Sequence, residues 1–517
     1  MFEGVLEALG NVVSPGMLLL CLAGVVAGMV VGATPGLSAT VGLALLLPIT
    51  FTLDPTTGLV LMGAFYMSAI YGGSFTAILV NAPGTPSSIA TTFDGYPMTV
   101  QGRSEEAIIA VTIASVVGGL IGVLGLALLA PLLADFVLDF GPQEYFWLGI
   151  FGLTMIAALA GKSLLRGLVG GFLGLLISTI GIAPIGGEVR FTFGITQMQG
   201  GVPLIVALIG LFTIPTILDL MLSPERRNAS MRREAEGRQQ GSALMSTVRY
   251  VLSRPVNLVR SGVIGTFVGI LPGAGGNIAN LIAYNEARRT SKDREKFGKG
   301  QIDGVVAPES ANNAVVGGGL VPLLTLGIPG APPDAIIYGV LLLHGLRPGA
   351  DLFTKQGPLV FTFILAIAVS AILMAPVGLI AGRALQRVVV RTPTHYLAPA
   401  VAVFTIVGAY AVRNSALDVI IMVLLGLAGY GLRRIGIPPP AIVLGVVLGP
   451  IIESGLGQGL LAASAREHPW TSFFTRPISL VIIALTVAGV AWPLITRVRE
   501  RRRAQAAADE QREEVPS

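Results

Sequence analysis

The chain has 517 residues, of which 53% are hydrophobic and only 12% charged, and its mean hydropathy is +0.77. Those values exclude a soluble globular domain and point to an integral membrane protein. The formal net charge of +5 is no nucleic-acid footprint, because the basic residues concentrate in a few polar stretches between apolar ones, and a single cysteine, Cys21, excludes disulfides and thiolate metal sites.

In chain order, the N-terminus MFEGVLEALG places Glu3 and Glu7 where a secretory signal carries basic residues, so the segment is expected to be retained. The first apolar stretch is cut at GMVVGATPGLSAT (28–40), and the next at YGGSFTAILVNAPGTPSS (71–88). Uncharged runs at 107–134, 357–382 and 477–496 each reach the roughly 20 residues that a spanning helix needs. The pattern predicts an all-α polytopic membrane protein of about ten to twelve transmembrane segments. Residues 1–221 read as a first transmembrane repeat with tip motifs at 32–40 and 81–88. A linker at 222–260 holds eight arginines and no lysine, which makes it cytoplasmic by the positive-inside rule. Residues 261–496 read as a second repeat with tip motifs at 269–280 and 325–334, and 497–517 as a charged cytoplasmic tail.

The two halves match each other. Gly28, Gly32, Pro35 and Gly36 fall on Gly265, Gly269, Pro272 and Gly273 at an offset of 237, and Gly72, Gly73, Pro83, Gly84 and Pro86 fall on Gly318, Gly319, Pro329, Gly330 and Pro332 at an offset of 246. Paired, Gly/Pro-interrupted segments in corresponding places are a sequence pointer to a secondary transporter's binding site. From Ser261 to Asn285 no charge occurs, yet Arg260 precedes the segment and Arg288, Arg289 and Lys292 follow. Basic residues on both flanks predict a re-entrant hairpin with PGAGGN (272–277) at its tip; the competing reading is one Pro-kinked spanning helix. The matching first-half segment has acidic flanks (Glu3, Glu7, Asp54), so an inverted repeat is expected rather than a parallel one.

A half-helix that ends inside a membrane offers free amides at its N-terminus, suited to a carboxylate, and free carbonyls at its C-terminus, suited to a cation. Glycine and proline make such breaks, and neutral Ser, Thr and Asn oxygens beside them can complete a hard-cation shell. The substrate- and ion-binding candidates are therefore Thr34, Pro35, Gly36, Ser38, Thr40, Asn81, Gly84, Thr85, Ser87 and Ser88 in the first half. In the second they are Pro272, Gly273, Gly275, Gly276, Asn277, Asn280, Asn312, Asn313, Thr325, Gly330 and Asp334. Na+ is assigned to Ser38, Thr40, Asn81, Asn277 and Asn313. For each side chain the competing role is a helix cap or an interhelical hydrogen bond, and Asp334 in particular could cap the helix after GIPGAPP. The few charges in or beside apolar runs are Asp94, Glu188, Glu309, Asp334, Asp418 and Glu453.

No catalytic residues are expected, and no cofactor beyond a coupling ion, Na+ or H+. AALAGKS (157–163) has Ile156 where a phosphate loop needs glycine, and HExxH, GxSxG and cysteine clusters are missing from the sequence.

GATPGLSATVGLALLLPITF, YGGSFTAILVNAPGTPSSIATTFDGYPM, GILPGAGGNIANLIAYNEARR and PESANNAVVGGGLVPLLTLGIPGAPPDAIIYGVLLLHGLRPG closely resemble the TctA family, the large membrane subunit of tripartite tricarboxylate transporters. The resemblance runs from about residue 15 to 495. It implies a multi-pass protein of the bacterial inner membrane, surrounded by lipid, importing carboxylates such as citrate on a sodium or proton gradient. It further implies two partners, a small four-helix TctB-like membrane subunit and a TctC-like periplasmic solute-binding protein. The alternatives are a stand-alone ion-coupled carboxylate transporter and, from another class, a membrane-embedded enzyme.

Overall fold

A computed structural model describes residues 2–34, 37–81, 83–159, 164–222, 244–272, 275–391, 394–464 and 467–491. Pro35, Gly36 and Gly273, most of the linker and the tail at 497–517 lie outside the described residues. The protein is an all-α polytopic membrane protein; among the described residues the strands are two-residue pieces, Gly181–Ile182 paired antiparallel with Val189–Arg190.

The first half runs α1 (Phe2–Val12), α2 (Pro15–Gly32), α3 (Ala39–Thr50), α4 (Pro55–Val80), α5 (Thr91–Val100), α6 (Ser104–Val137), α7 (Pro142–Leu159), α8 (Leu164–Ser178) and α9 (Leu204–Leu222). The second begins with α10 (Leu244–Leu252), α11 (Pro255–Ile270), α12 (Gly275–Thr290), α13 (Asp303–Leu326) and α14 (Pro332–Leu343). After the short α15 (Ala350–Lys355) come α16 (Gly357–Arg391), α17 (Thr394–Arg413), α18 (Ala416–Arg434) and α19 (Pro439–Ala462). With α15 set aside, the order α1–α9 is repeated by α10–α19. Local chemistry sets the starts: prolines open α2, α4, α11, α14 and α19, where a missing N–H costs nothing, and Ser14 and Asp54 cap α2 and α4. The 222–260 stretch already contains α10 and the start of α11, so Arg260 lies inside a helix rather than ahead of one.

Among the described residues, six helices are long and apolar enough to span: α2, α4, α6, α16, α18 and α19. A bent pair, Pro469–Thr475 with Pro477–Ala491, turns by 73°, and six shorter apolar helices of 10–17 residues accompany them. Against the ten to twelve segments expected from the sequence, the described residues thus hold six helices of spanning length, or seven with the bent pair as one span, because several apolar stretches are broken into shorter helices.

Two compact units are resolved: Met1–Asp139 with Val202–Ile435, and Phe140–Gly201 with Gly436–Ser517. In the first, α9 packs on α17 and α18; in the second, the equivalent α19 packs on α7 and α8. The second unit is tied internally by buried Glu144, which accepts from the Gly141 amide (2.9 Å) and the Ser479 hydroxyl (2.7 Å) and pairs with Arg476 (2.8 Å).

The first unit shows how the repeats are related. Helix α1 packs on α16 and its equivalent α10 on α6, an exchanged arrangement. Ser74 on α4 meets Glu309 on α13 (2.5 Å), while Met67, two turns earlier, meets Asn313, one turn later. The equivalent helices α4 and α13 therefore run antiparallel. Helices α6 and α16 do the same: Gly119 faces Ala371, whereas Thr112 and Gly378 share the Tyr71 hydroxyl. Met67 and Asn313 are themselves equivalents at offset 246, and the Asn313 amide donates to the Met67 carbonyl at 3.0 Å. A pseudo-twofold axis lying across the helices passes between them. Asn313 is about 15 Å along α13, close to the middle of that 24-residue helix.

Candidate functional site

The GILPGAGGN segment is two helices and a turn. Helix α11 ends at Ile270 and α12 starts at Gly275, whose φ of +51° a glycine adopts without strain. The feet of the two limbs meet: Arg260 donates to Thr290 Oγ1 (2.8 Å) and lies 3.7 Å from Glu286. The chain therefore doubles back on itself as a helical hairpin, the geometry expected of a re-entrant segment and not of one continuous Pro-kinked helix. At the exposed foot, the hydrogen bond from Arg289 holds the Glu286 carboxyl below its ordinary range. Ala279, Ala283 and Val268 join the limbs to Ala307, Ala311 and Val315 of α13.

The first turn of α12 lies against the first half's second tip. Asn280 donates to the Ser87 carbonyl, Asn312 on α13 donates to Ser88 Oγ (3.4 Å), and Thr85 shares hydrogen bonds of 3.1 Å with both Ser87 and Ser88. Thr85, Ser87, Ser88, Asn280 and Asn312 are all buried. One turn before Asn312, Glu309 is fully buried, accepting from Ser74 (2.5 Å) and Thr91 and facing Ser115 and Asn312. Among the described residues no Lys, Arg or His lies within ion-pair distance of it. A carboxylate buried in a membrane without a cationic partner is costly and points to a functional site.

A separate latch holds the flank of this cluster. Buried Asp94 on α5 accepts from the backbone amides of Gly298 (2.9 Å), Gly300 (2.8 Å) and Gln301 (2.8 Å) and from the Tyr284 hydroxyl (2.9 Å). Gln101 and Arg103 add bonds to the Lys299 and Gly300 carbonyls. The loop between α12 and α13 is thereby fastened to the first repeat.

Of the sequence candidates, the fold gathers Thr85, Ser87, Ser88, Gly276, Asn280 and Asn312. It does not gather Ser38, Thr40, Asn81, Asn277 and Asn313, no two of which share a hydrogen bond among the described residues. Ser38 caps α3 by accepting from the Val41 amide, and Thr34 bonds back to the Val30 carbonyl. Asn81 ends α4 in the left-handed conformation (φ 52°), exposed, and Asn277 is exposed on α12. Thr325 bonds to the Val321 carbonyl within its own helix. Pro272 is buried at the hairpin tip, next to Gly275, which faces Ala331. Gly84 and Gly330, equivalents, pack their backbones on Gly32 and Gly269, also equivalents. Asp334 does cap α14, but from its third position, accepting from the Ala331 amide (2.7 Å), because Pro332 and Pro333 occupy the first two.

The sequence does not single out Ser74, Thr91 or Ser115, and it marks Glu309 only as a charge in an apolar run. The available signal was Glu309 itself, the one charge between Asp303 and Asp334.

The tripartite tricarboxylate transporter TctA family matches residues 18–444. An uncharacterised 52.8 kDa protein in the TAR-I ttuC′ 3′ region of Agrobacterium vitis is 34% identical over 490 residues, 95% of each chain. An uncharacterised protein in the TAR-II ttuC′ 3′ region of the same organism is 34% identical over 239 residues, 46% of this chain and 97% of its own length. With its antiparallel repeats, its hairpin and a buried polar cluster between them, the chain belongs to the TctA family, the large membrane subunit of tripartite tricarboxylate transporters.

Proposed function

We propose that this chain is the translocating subunit of a binding-protein-dependent secondary transporter in a bacterial inner membrane. It imports tricarboxylates or related carboxylates on a sodium or proton gradient, with a small four-helix TctB-like subunit and a TctC-like periplasmic binding protein that delivers the solute. Family membership supports the solute class and the tripartite partners. The observation that supports the mechanism is that the start of α12, at Gly276 and Asn280, lies in the interior against the Ser87 carbonyl and the Thr85, Ser87 and Ser88 hydroxyls of the opposite repeat.

The first-turn amides of α12 have no intrahelical acceptors and carry the positive end of the helix dipole, which suits a solute carboxylate. The neighbouring Ser, Thr and Asn oxygens suit the coupling cation. Antiparallel equivalents on either side of the pseudo-twofold axis give the chain two related conformations with access from opposite sides, in which movement of one bundle against the other carries the load across.

The test is uptake into proteoliposomes holding this chain and the small subunit, with the cognate binding protein outside. Carboxylate accumulation under an imposed sodium or proton gradient is expected. No uptake under any gradient would end this reading, and undiminished uptake without the binding protein would remove the tripartite part of it.

A further inference from the structure

Two buried amide oxygens in the cluster accept no hydrogen bond. Asn280 Oδ1 and Asn312 Oδ1 belong to residues 0% and 1% exposed, and neither has a partner. Buried acceptors of this kind call for an explanation, and an ion is one. Asn280 bonds to the Ser87 carbonyl and Asn312 to Ser88 Oγ, Thr85 bonds to both serine hydroxyls, and one turn before Asn312 on α13 stands the buried Glu309 carboxylate. We propose that these residues, with Asn280, Asn312 and Glu309 as the principal ligands, bind a single sodium ion.

The chemistry of the donor set selects the ion. Every group is an oxygen, and among the described residues no cluster of three His, Cys, Asp or Glu side chains offers a transition-metal site. One carboxylate supplies one negative charge, so a monovalent cation neutralises the site, whereas a divalent one would leave a buried positive charge. A proton on Glu309 would neutralise that side chain but leave both amide oxygens unpaired; a sodium ion answers all three. Gly276 keeps the approach open: a Cβ there would stand 2.6 Å from Asn312 Oδ1 and 2.7 Å from Ser87 Cβ.

The inference rests on the transport reading for its purpose, though not for its geometry. Empty of cation, Glu309 repels a solute carboxylate from the α12 N-terminus. Occupied, the site is neutral and the dipole can hold the anion, so sodium and solute bind together. The equivalents of Glu309, Asn312 and Asn280 are Gly63, Tyr66 and Leu43, which lack such oxygens apart from one phenol. The same donor set is therefore not repeated at the equivalent positions of the first half.

The test is thermal unfolding of the purified full-length chain in detergent, titrated with sodium chloride against choline chloride at constant ionic strength. A saturable rise in melting temperature specific to sodium is expected. Glu309→Gln and Gly276→Ala should raise the half-saturating sodium concentration at least about tenfold while melting cooperatively in choline. If Glu309→Gln fails to fold, Gly276→Ala and Asn312→Ala carry the same test. A wild-type melt indifferent to sodium, or variants with the wild-type response, overturns the site. The two readings separate in proteoliposomes: uptake that follows a pH gradient and ignores sodium removes the sodium site and leaves transport standing. Sodium-specific melts without uptake under any gradient do the reverse.

Discussion

The two sides of the pseudo-twofold axis have the same backbone plan and opposite chemistry. On one side Ser88 meets Asn312; on the other their equivalents Asp334 and Tyr66 lie beside each other. Gly73 faces Thr85 and Ser88, just as Gly319 faces Asp334. Around those matched contacts the sides diverge. Glu309, Ser74, Thr91 and Asn280 are answered by Gly63, Leu320, Ile337 and Leu43. The polar side lies nearer the basic feet of the hairpin, with Glu309 about 6 Å along α13 from the level of Asn313. The repeated frame is symmetric, but its two buried carboxylates, Glu309 and Asp334, stand at non-equivalent positions and only Glu309 is surrounded by hydroxyls of the other repeat. Asp334, whose Oδ2 is held by its own helix start, reads as a cap; Glu309, held by hydroxyls from the other repeat, reads as a working carboxylate.

This contrast can be broken at several points. The largest effect is expected from Glu309→Ala, which should lower carboxylate uptake by at least about 100-fold, since a buried charged ligand is worth several kcal/mol; uptake normalised to inserted protein measures it. Next comes Asp94→Ala, which strands three backbone amides and a phenol and should destabilise the chain by about 3–5 kcal/mol. Its uptake per folded molecule should stay within about threefold, because the latch lies beside the cluster and not in it. Asp334→Ala should cost about 1–2 kcal/mol through the lost cap and leave the half-saturating sodium concentration within about twofold. A sodium response that collapses with Asp334→Ala would make the two sides functionally equal. The smallest effect is expected from Arg260→Ala at the hairpin foot, at most about 1 kcal/mol in a denaturant or thermal melt, because its partners are part-exposed.

The hairpin was legible in the sequence because everything that makes it is local: a helix breaker, an uncharged run on each side, and basic residues at both ends. The inverted repeat was legible because glycines and prolines at fixed offsets mark where backbones meet. The cluster itself was legible only in part. Glu309 is 235 residues from Ser74 and 218 from Thr91, and Asn280 is 193 from Ser87. No periodicity within a helix reports which hydroxyl will face it across a bundle. The same limit explains Asn313, which resembles its neighbour Asn312 in sequence yet turns to the symmetry axis, one residue around the helix.

Solute and cation are proposed to bind together at the cluster between Ser87 and Gly276. Ser87→Cys in a Cys21→Ser background, labelled with a membrane-impermeant thiol reagent in the presence of a panel of di- and tricarboxylates, tests it most directly. One carboxylate together with sodium should slow labelling by about tenfold, more than sodium alone does, and the carboxylate without sodium should leave it unchanged. Equal labelling rates with and without every carboxylate, in a protein that still transports, would contradict the assignment.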